Sequence, residues 1–275
     1  MTSNLSPQET AILNTRISSA GMIYVNSMVT DQAVFYDARA SLFDSQNEVP
    51  ERIKRRQVIY GIYQSLLKKW ISGKSLTYLD FGCGTGTSTN QFLDALKAHA
   101  TIDRSVAIDI SKEMVEIARI NLPAFEVIQG GAAQIDHENT FDLIASLFHV
   151  LCHLSELDLE LFFRNARRAL KPNGLLCFDV IKQFEVGEHG YTEADQLSHK
   201  KYFVYHSLKP DGSKILNAQG QPLIGANRLF SNDELETFAQ KAGLKVVDIQ
   251  EVSVPDPNPK IGNRNDLVVV MGKPR

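Results

Sequence analysis

Apolar and polar positions follow two rhythms along this chain, and the rhythm changes near Ser75. Upstream the spacing is helical. Ser6-Pro7-Gln8-Glu9 is a helix start, with a capping hydroxyl, Pro at the first helical position and an acid close behind, and Ile12, Leu13, Ile17 and Ala20 follow it. Ile53, Ile59, Ile62, Tyr63, Leu66, Leu67 and Trp70 predict a second helix over 51–71. Tyr36-Asp37-Ala38-Arg39 lies between the two, flanked by polar residues. Downstream, short apolar runs alternate with helical stretches. Strands are predicted over 76–81, 106–109, 125–129, 141–146, 175–180, 244–252 and 267–271, and helices over 88–98, 111–121, 157–170 and 231–243. This β-α-β-α alternation predicts a doubly wound, mostly parallel sheet with helices on both faces. Residues 182–225 interrupt it. Alternation over 202–208, the turn Lys209-Pro210-Asp211-Gly212 and the run 214–216 predict a hairpin there.

Composition narrows the class. A chain of 275 residues accommodates one large domain, or one core with an elaboration. With 29 basic and 32 acidic residues the net charge is −3, which argues against nonspecific nucleic-acid binding. Cys83, Cys152 and Cys177 form no CxxC pair, so a reducing compartment is expected rather than a disulfide framework. The first ten residues have no apolar signal core, and no run approaches the roughly 18 apolar residues of a membrane span. The expectation is a soluble, cytoplasmic protein, monomeric or homodimeric.

The chemistry concentrates in Leu79-Asp80-Phe81-Gly82-Cys83-Gly84-Thr85-Gly86, a buried strand running into a turn with three alternate glycines and then a helix. Such glycines let a ligand approach the backbone, and the helix N-terminus offers unpaired N–H groups. One strand later Asp109 ends Val106-Ala107-Ile108-Asp109, where an acid can accept from a ribose 2′,3′-diol or cap the next helix. A dinucleotide fingerprint, G-x-G-x-x-G, needs a third glycine where this chain has Thr87, which disfavours a nicotinamide-dependent oxidoreductase.

LDFGCGTG closely resembles motif I of the class I S-adenosylmethionine-dependent methyltransferases. The similarity continues through VAIDIS, FDLIASLFHVLCHL, RRALKPNGLLCFDV and NDLVVVMGKP, over about 76–181 and 226–275. The resemblance implies a seven-stranded Rossmann-like sheet whose last strand is antiparallel, with S-adenosyl-L-methionine as cofactor. It implies that Asp80, Gly82, Cys83, Gly84 and Gly86 form the turn near the cofactor's methionine part, with Asp80 facing the ammonium. Asp109 matches the ribose acid, and Ile110 and Met114 the apolar contacts of adenine. Ala132 and Ala133 match the segment edging the adenine, and Ser146 the strand end near the sulfur. The family often has Gly-Asp-Ala at that adenine segment; this chain has Gly130-Gly131-Ala132, leaving backbone groups or Gln134 as substitutes.

Methyl transfer needs an oriented acceptor more than a protein nucleophile. His149 and His153, four apart, share a face if their segment is helical, and His149 is favoured as orienting group or base. As a metal pair the two histidines lack a third ligand. The resemblance also implies an N-terminal lid over residues 1–74 ahead of a core over 75–275, with Tyr36, or Tyr24, as the closing aromatic. Residues 182–225 would then cover the acceptor, offering Tyr191, Tyr202, Tyr205 and His206. Arg52, Lys54, Arg55 and Arg56 are expected on a solvated helix face. The expected activity is methylation of an N or O atom of a small molecule. Methylation of RNA or protein, and a noncatalytic binder of the same fold, remain the alternatives. The Asn-Pro-Pro-Tyr/Phe motif of base-modifying DNA enzymes is absent after the fourth strand.

Overall fold

The computed structural model describes residues 31–186, 202–207, 209, 213–255 and 261–274. The helix expected over 12–20, Tyr24 and Tyr191 lie outside the described residues, as do the side chains of Tyr202, Tyr205 and His206. The described helices are α1 (Gln32–Asp37), α2 (Ala40–Asn47), α3 (Pro50–Ile71), α4 (Thr87–Leu96), α5 (Lys112–Asn121), α6 (Glu156–Ala169) and α7 (Asn232–Ala242). The strands are β1 (Lys74–Phe81), β2 (Ala100–Asp109), β3 (Glu126–Gln129), β4 (Phe141–Ser146), β5 (Leu170–Val186), β6 (Tyr202–His206), β7 (Ile224–Arg228), β8 (Lys245–Pro255) and β9 (Ile261–Gly272).

Seven strands form one sheet in the order β3-β2-β1-β4-β5-β9-β8. Neighbours among β1 to β5 pair in parallel, whereas β9 runs antiparallel to both β5 and β8. The order reverses between β1 and β4, which opens a crevice at the carboxyl ends of those strands.

Alternation along β1 shows why the sheet is covered twice. Leu79 and Phe81 face a core shared with Phe162 and Phe163 of α6 and Phe238 of α7. Leu76 and Tyr78 face the other layer, against Ile59, Tyr63, Leu67 and Ile71 of α3 and Phe92 of α4. Those four α3 residues are spaced by four, one stripe of a helix. So α3 is a layer of the core, and the segment lying over the crevice is the shorter α1–α2 pair.

Helix starts follow local chemistry. Ser111 accepts from the Met114 amide, Ser155 from Asp158, and Ser231 with Glu234 forms a capping box. The cover differs from the expected hairpin. The β6 strand pairs along its length with β7, whose Ile224 to Arg228 lie beyond the turn at 209–212. The expected 214–216 run meets the end of β6 through Lys209 N–H to Ser213 O and Ile215 N–H to Ser207 O, and on its other side pairs with 222–223 through Leu223 N–H to Ile215 O. Among the described residues no helix is long and apolar enough to cross a membrane.

Candidate active site

The carboxyl end of β1 turns through Gly82 and Gly84 with φ of 78° and 55°. A side chain at Gly82 would collide with Val150, so this glycine is needed for space as well as conformation. Gly86 does something else. It precedes α4 at φ 82°, and a Cβ there would lie 2.6 Å from Leu122 Cγ. It lets α4 pack against the end of α5 and does not line the crevice.

A cavity of about 300 Å3 occupies the crevice. Asp80, Gly82, Cys83 and Gly84 form its floor, and Asp109, Ile110 and Met114 one wall. Gly130, Gly131 and Ala132 form a second wall, and Leu147, Phe148, Val150 and His153 a third. Gln32, Tyr36 and Phe43 close it from above, and Asp31, Phe81, Ser88, Leu154 and Asp158 complete the lining.

Asp80 is 2% exposed. Its Oδ2 accepts from Thr89 Oγ1 at 2.6 Å, while the buried Oδ1 has no partner. Burial pushes this carboxyl up to about 7, against the opposing hydrogen bond from Thr89. Asp109 accepts from Ser111 N–H at 2.9 Å and Gly84 N–H at 2.8 Å, one on each oxygen. Burial raises it, and these amides restrain the rise. A carboxylate accepts about four hydrogen bonds, so Asp109 both organises the turn and keeps capacity for a diol. Burial holds the Cys83 thiol well above its ordinary range, which makes it a neutral filler.

The adenine-edge loop is satisfied internally. Gln134 Oε1 accepts from Gly131 N–H at 2.8 Å, and Asn165 Nδ2 donates to Ala132 O at 2.9 Å. Gln134, expected as a substitute acceptor, is thus occupied in capping its own loop. Ala133 points outward and is exposed, so only Ala132 of this pair reaches the cavity. Ser146 is fully buried one residue before the cavity begins at Leu147, with its Oγ unpartnered in the core.

The two histidines part company. His153 lines the cavity, and its Nδ1 lies 3.0 Å from Ala226 O. A carbonyl only accepts, so Nδ1 carries the proton and Nε2 is the acceptor. Tyr36 therefore donates its hydroxyl proton to His153 Nε2, at 2.9 Å. Burial lowers His153 to about 4, keeping it neutral at pH 7. His149, favoured from sequence, is displaced from the cavity lining. Its backbone is left-handed at φ 64°, following Phe148 at φ 60°, and only 150–153 form a 3-10 turn. Four-residue spacing therefore does not bring the rings to one face. The His149 ring sits between Arg55 and Asp266, 3.0 Å from Asp266 Oδ1. Burial and the Arg55 charge hold it well below its ordinary pKa, so it is no base for the cavity.

Arg55 corrects a second expectation. It is 7% exposed rather than solvated, with Nε 2.8 Å from Asp266 Oδ2. Arg52 and Arg56 are also engaged, donating to Gln46 O at 3.0 Å and Asn47 O at 2.8 Å, at the carboxyl end of α2. Arg55 lies four residues before the stripe Ile59, Tyr63, Leu67, Ile71, and that register was the available signal.

Sequence reasoning missed what fastens α1 and α2. Asp37 Oδ1 accepts from Ser111 Oγ at 2.6 Å and Glu113 N–H at 3.1 Å, capping α5 from outside. Asp44 accepts from Thr85 Oγ1 at 2.7 Å and Thr87 Oγ1 at 3.1 Å, beside the glycine turn. Neither acid belongs to a local motif that announces a distant partner.

A doubly wound sheet with a glycine turn, an acid ending the next strand and a roofed cavity at the switch point is the architecture of nucleotide-binding α/β folds. Residues 79–174 match the methyltransferase domain family. A malonyl-[acyl-carrier protein] O-methyltransferase of Halalkalibacterium halodurans is 34% identical over 157 residues, 53% of this chain and 53% of that protein's length. Two solved structures share the fold. One is the putative methyltransferase bound to the Trm112 methyltransferase activator of Haloferax volcanii (TM-score 0.58, 17% identity, 90% of this chain, all of that one). The other is Burkholderia thailandensis 1,6-didemethyltoxoflavin-N1-methyltransferase with its substrate and S-adenosylhomocysteine (TM-score 0.52, 19% identity, all of this chain, 93% of that one). Over residues 79–174 the chain is thus similar to the methyltransferase domain family, and its fold is that of S-adenosylmethionine-dependent methyltransferases.

Proposed function

We propose that this protein transfers a methyl group from S-adenosylmethionine to a nitrogen or oxygen atom of a small molecule. The observation that carries the reading is the roofed cavity. Its floor and walls belong to the glycine turn and the Asp109 strand, and its roof to α1 and α2. A roof of this kind encloses a small acceptor and excludes water. The relatives point the same way, since one methylates a carrier-bound malonyl group and another 1,6-didemethyltoxoflavin.

The residues fit the cofactor. Asp80 Oδ1, a buried acceptor without a partner, suits an ammonium group. Gly82 and Gly84 leave room for close approach, Asp109 retains acceptor capacity for ribose hydroxyls, and Ile110, Met114 and Ala132 offer apolar contact to adenine. When bound, the cofactor supplies the electrophilic methyl of a sulfonium. The chain's own work is to hold the acceptor in line and dry. Tyr36, whose hydroxyl donates its hydrogen bond to His153 Nε2, presents its oxygen to the cavity as a hydrogen-bond acceptor. It orients an acceptor N–H or O–H, and neutral His153, fixed by Ala226 O, holds the Tyr36 hydroxyl in place.

Calorimetric titration with S-adenosylmethionine, S-adenosylhomocysteine and NAD tests the cofactor. Micromolar binding of the two sulfur nucleotides and none of NAD is expected. Binding of NAD alone would overturn the reading.

A further inference from the structure

Five ionisable side chains outside the cavity form one buried cluster behind its third wall. Arg55 comes from α3, His149 from the turn after β4, Asp179 from β5, and Arg264 and Asp266 from β9. Asp179 and Asp266 are fully buried, Arg55 and His149 at least nine-tenths so. Arg55 Nε meets Asp266 Oδ2 at 2.8 Å, and its NH2 lies 3.5 Å from Asp179 Oδ2. Arg264 Nε is 3.1 Å from Asp266 Oδ1. His149 Nε2 lies 3.0 Å from Asp266 Oδ1 and 3.4 Å from Asp179 Oδ2. With His149 neutral, two cations balance two carboxylates.

The cluster grips the wall at two adjacent residues. Asp179 Oδ1 accepts from the Phe148 N–H at 2.8 Å, and His149 Nε2 meets both Arg55 and Asp266. Arg55 also lies over the Phe148 ring, 5.7 Å from its centre. Both gripped residues have left-handed backbones, φ 60° and 64°, a conformation that L-residues adopt at a cost and that persists only when the surroundings impose it. The result of that twist is the wall itself. Leu147, Phe148 and Val150 line the cavity while His149 turns away, and Val150 is pressed against the Cβ-free side of Gly82.

We infer that His149 is a positioning residue: through Asp266 and Arg55 it holds the Leu147–Val150 turn in its left-handed form and so shapes the cavity wall facing the glycine turn. This rests on the proposed cofactor cavity for its functional meaning, though not for its geometry. Asn, like His, tolerates the left-handed region and offers a donor toward Asp266, whereas Ala offers neither.

The test compares wild type, His149→Asn, His149→Ala and a remote core control, Leu235→Ala. S-adenosylhomocysteine affinity is measured by calorimetry, and amide exchange of residues 143–152 is followed without ligand. His149→Ala is expected to lose about tenfold in affinity, within the range carried by packed networks, and to speed exchange at Phe148 while 143–145 stay protected. His149→Asn is expected to recover part of both, and Leu235→Ala to change neither despite a lower melting temperature. Wild-type exchange at Phe148 in His149→Ala would overturn the inference, as would His149→Asn behaving no better than His149→Ala. Failure of the wild type to bind S-adenosylhomocysteine would instead count against the proposed cofactor, and the exchange data would still decide the role of His149.

Discussion

Burial and charge pull in opposite directions at Asp80. Its carboxyl is pushed up to about 7, whereas an unfolded aspartate titrates near 3.9. The fold therefore favours the protonated form. That stabilisation is complete below about pH 4 and is lost as pH rises through 7. Asp80→Asn stays neutral at every pH. It is expected to unfold at a higher temperature than wild type at pH 8, by up to about 4 kcal/mol in stability, with the gain gone at pH 4. It is also expected to bind S-adenosylmethionine more weakly, because an amide does not offset an ammonium. Thermal scans at pH 4 and 8, with calorimetry, check both halves; an equal gap at the two pH values would remove burial as the cause. Asp80, Asp109, Ile110, Met114 and Ala132 were legible in sequence because a strand end fixes where a local motif points. His149, Ser146, Ala133 and Gly86 were not, because what matters there is how the chain turns after the element stops. Two successive left-handed residues at Phe148 and His149 carry no sequence signal; glycine or asparagine would have.

At the scale of elements, α1 and α2 are too short to be stable helices on their own. Two carboxylates from this pair fasten it to the core, Asp37 to the start of α5 and Asp44 to the threonines after the glycine turn. Asp37→Ala removes a helix cap worth about 0.5–2 kcal/mol and loosens the roof carrying Tyr36. The expected outcome is faster dissociation of S-adenosylhomocysteine by stopped flow, compounded in Asp37→Ala/Asp44→Ala. Dissociation as slow as wild type in the double variant would show that the roof closes without these acids. The sheet was legible strand by strand, since each buried run is short, apolar and bounded by turn residues. The partner of β6 was not: 214–216 is nearer in sequence, yet 224–228 offers the longer antiparallel match. The place of α3 was half legible. Its apolar stripe was visible, but its continuation into Arg55 reads as solvated until Asp266 is known to lie opposite.

For the molecule as a whole, the Arg55–Asp266 pair ties the helical layer to the sheet. Breaking a buried pair from one side leaves a charge uncompensated, so Arg55→Met is expected to cost about 3–5 kcal/mol, with part recovered in Arg55→Met/Asp266→Asn. Denaturant midpoints of the three proteins measure this, and a loss under 1 kcal/mol in Arg55→Met would mean that water reaches the cluster, on the order of an exposed pair. The pair also joins residues 211 positions apart. During synthesis Arg55 is made well before its carboxylate, which arrives on β9, a strand that must enter between β5 and β8. A nascent chain stalled before residue 266 thus holds a cation with nowhere dry to go, and the long sequence separation slows its search for a partner. Completing the cluster behind the cavity wall therefore waits on β9, so a change that keeps this strand from its place leaves Phe148 and His149 without their buried partners.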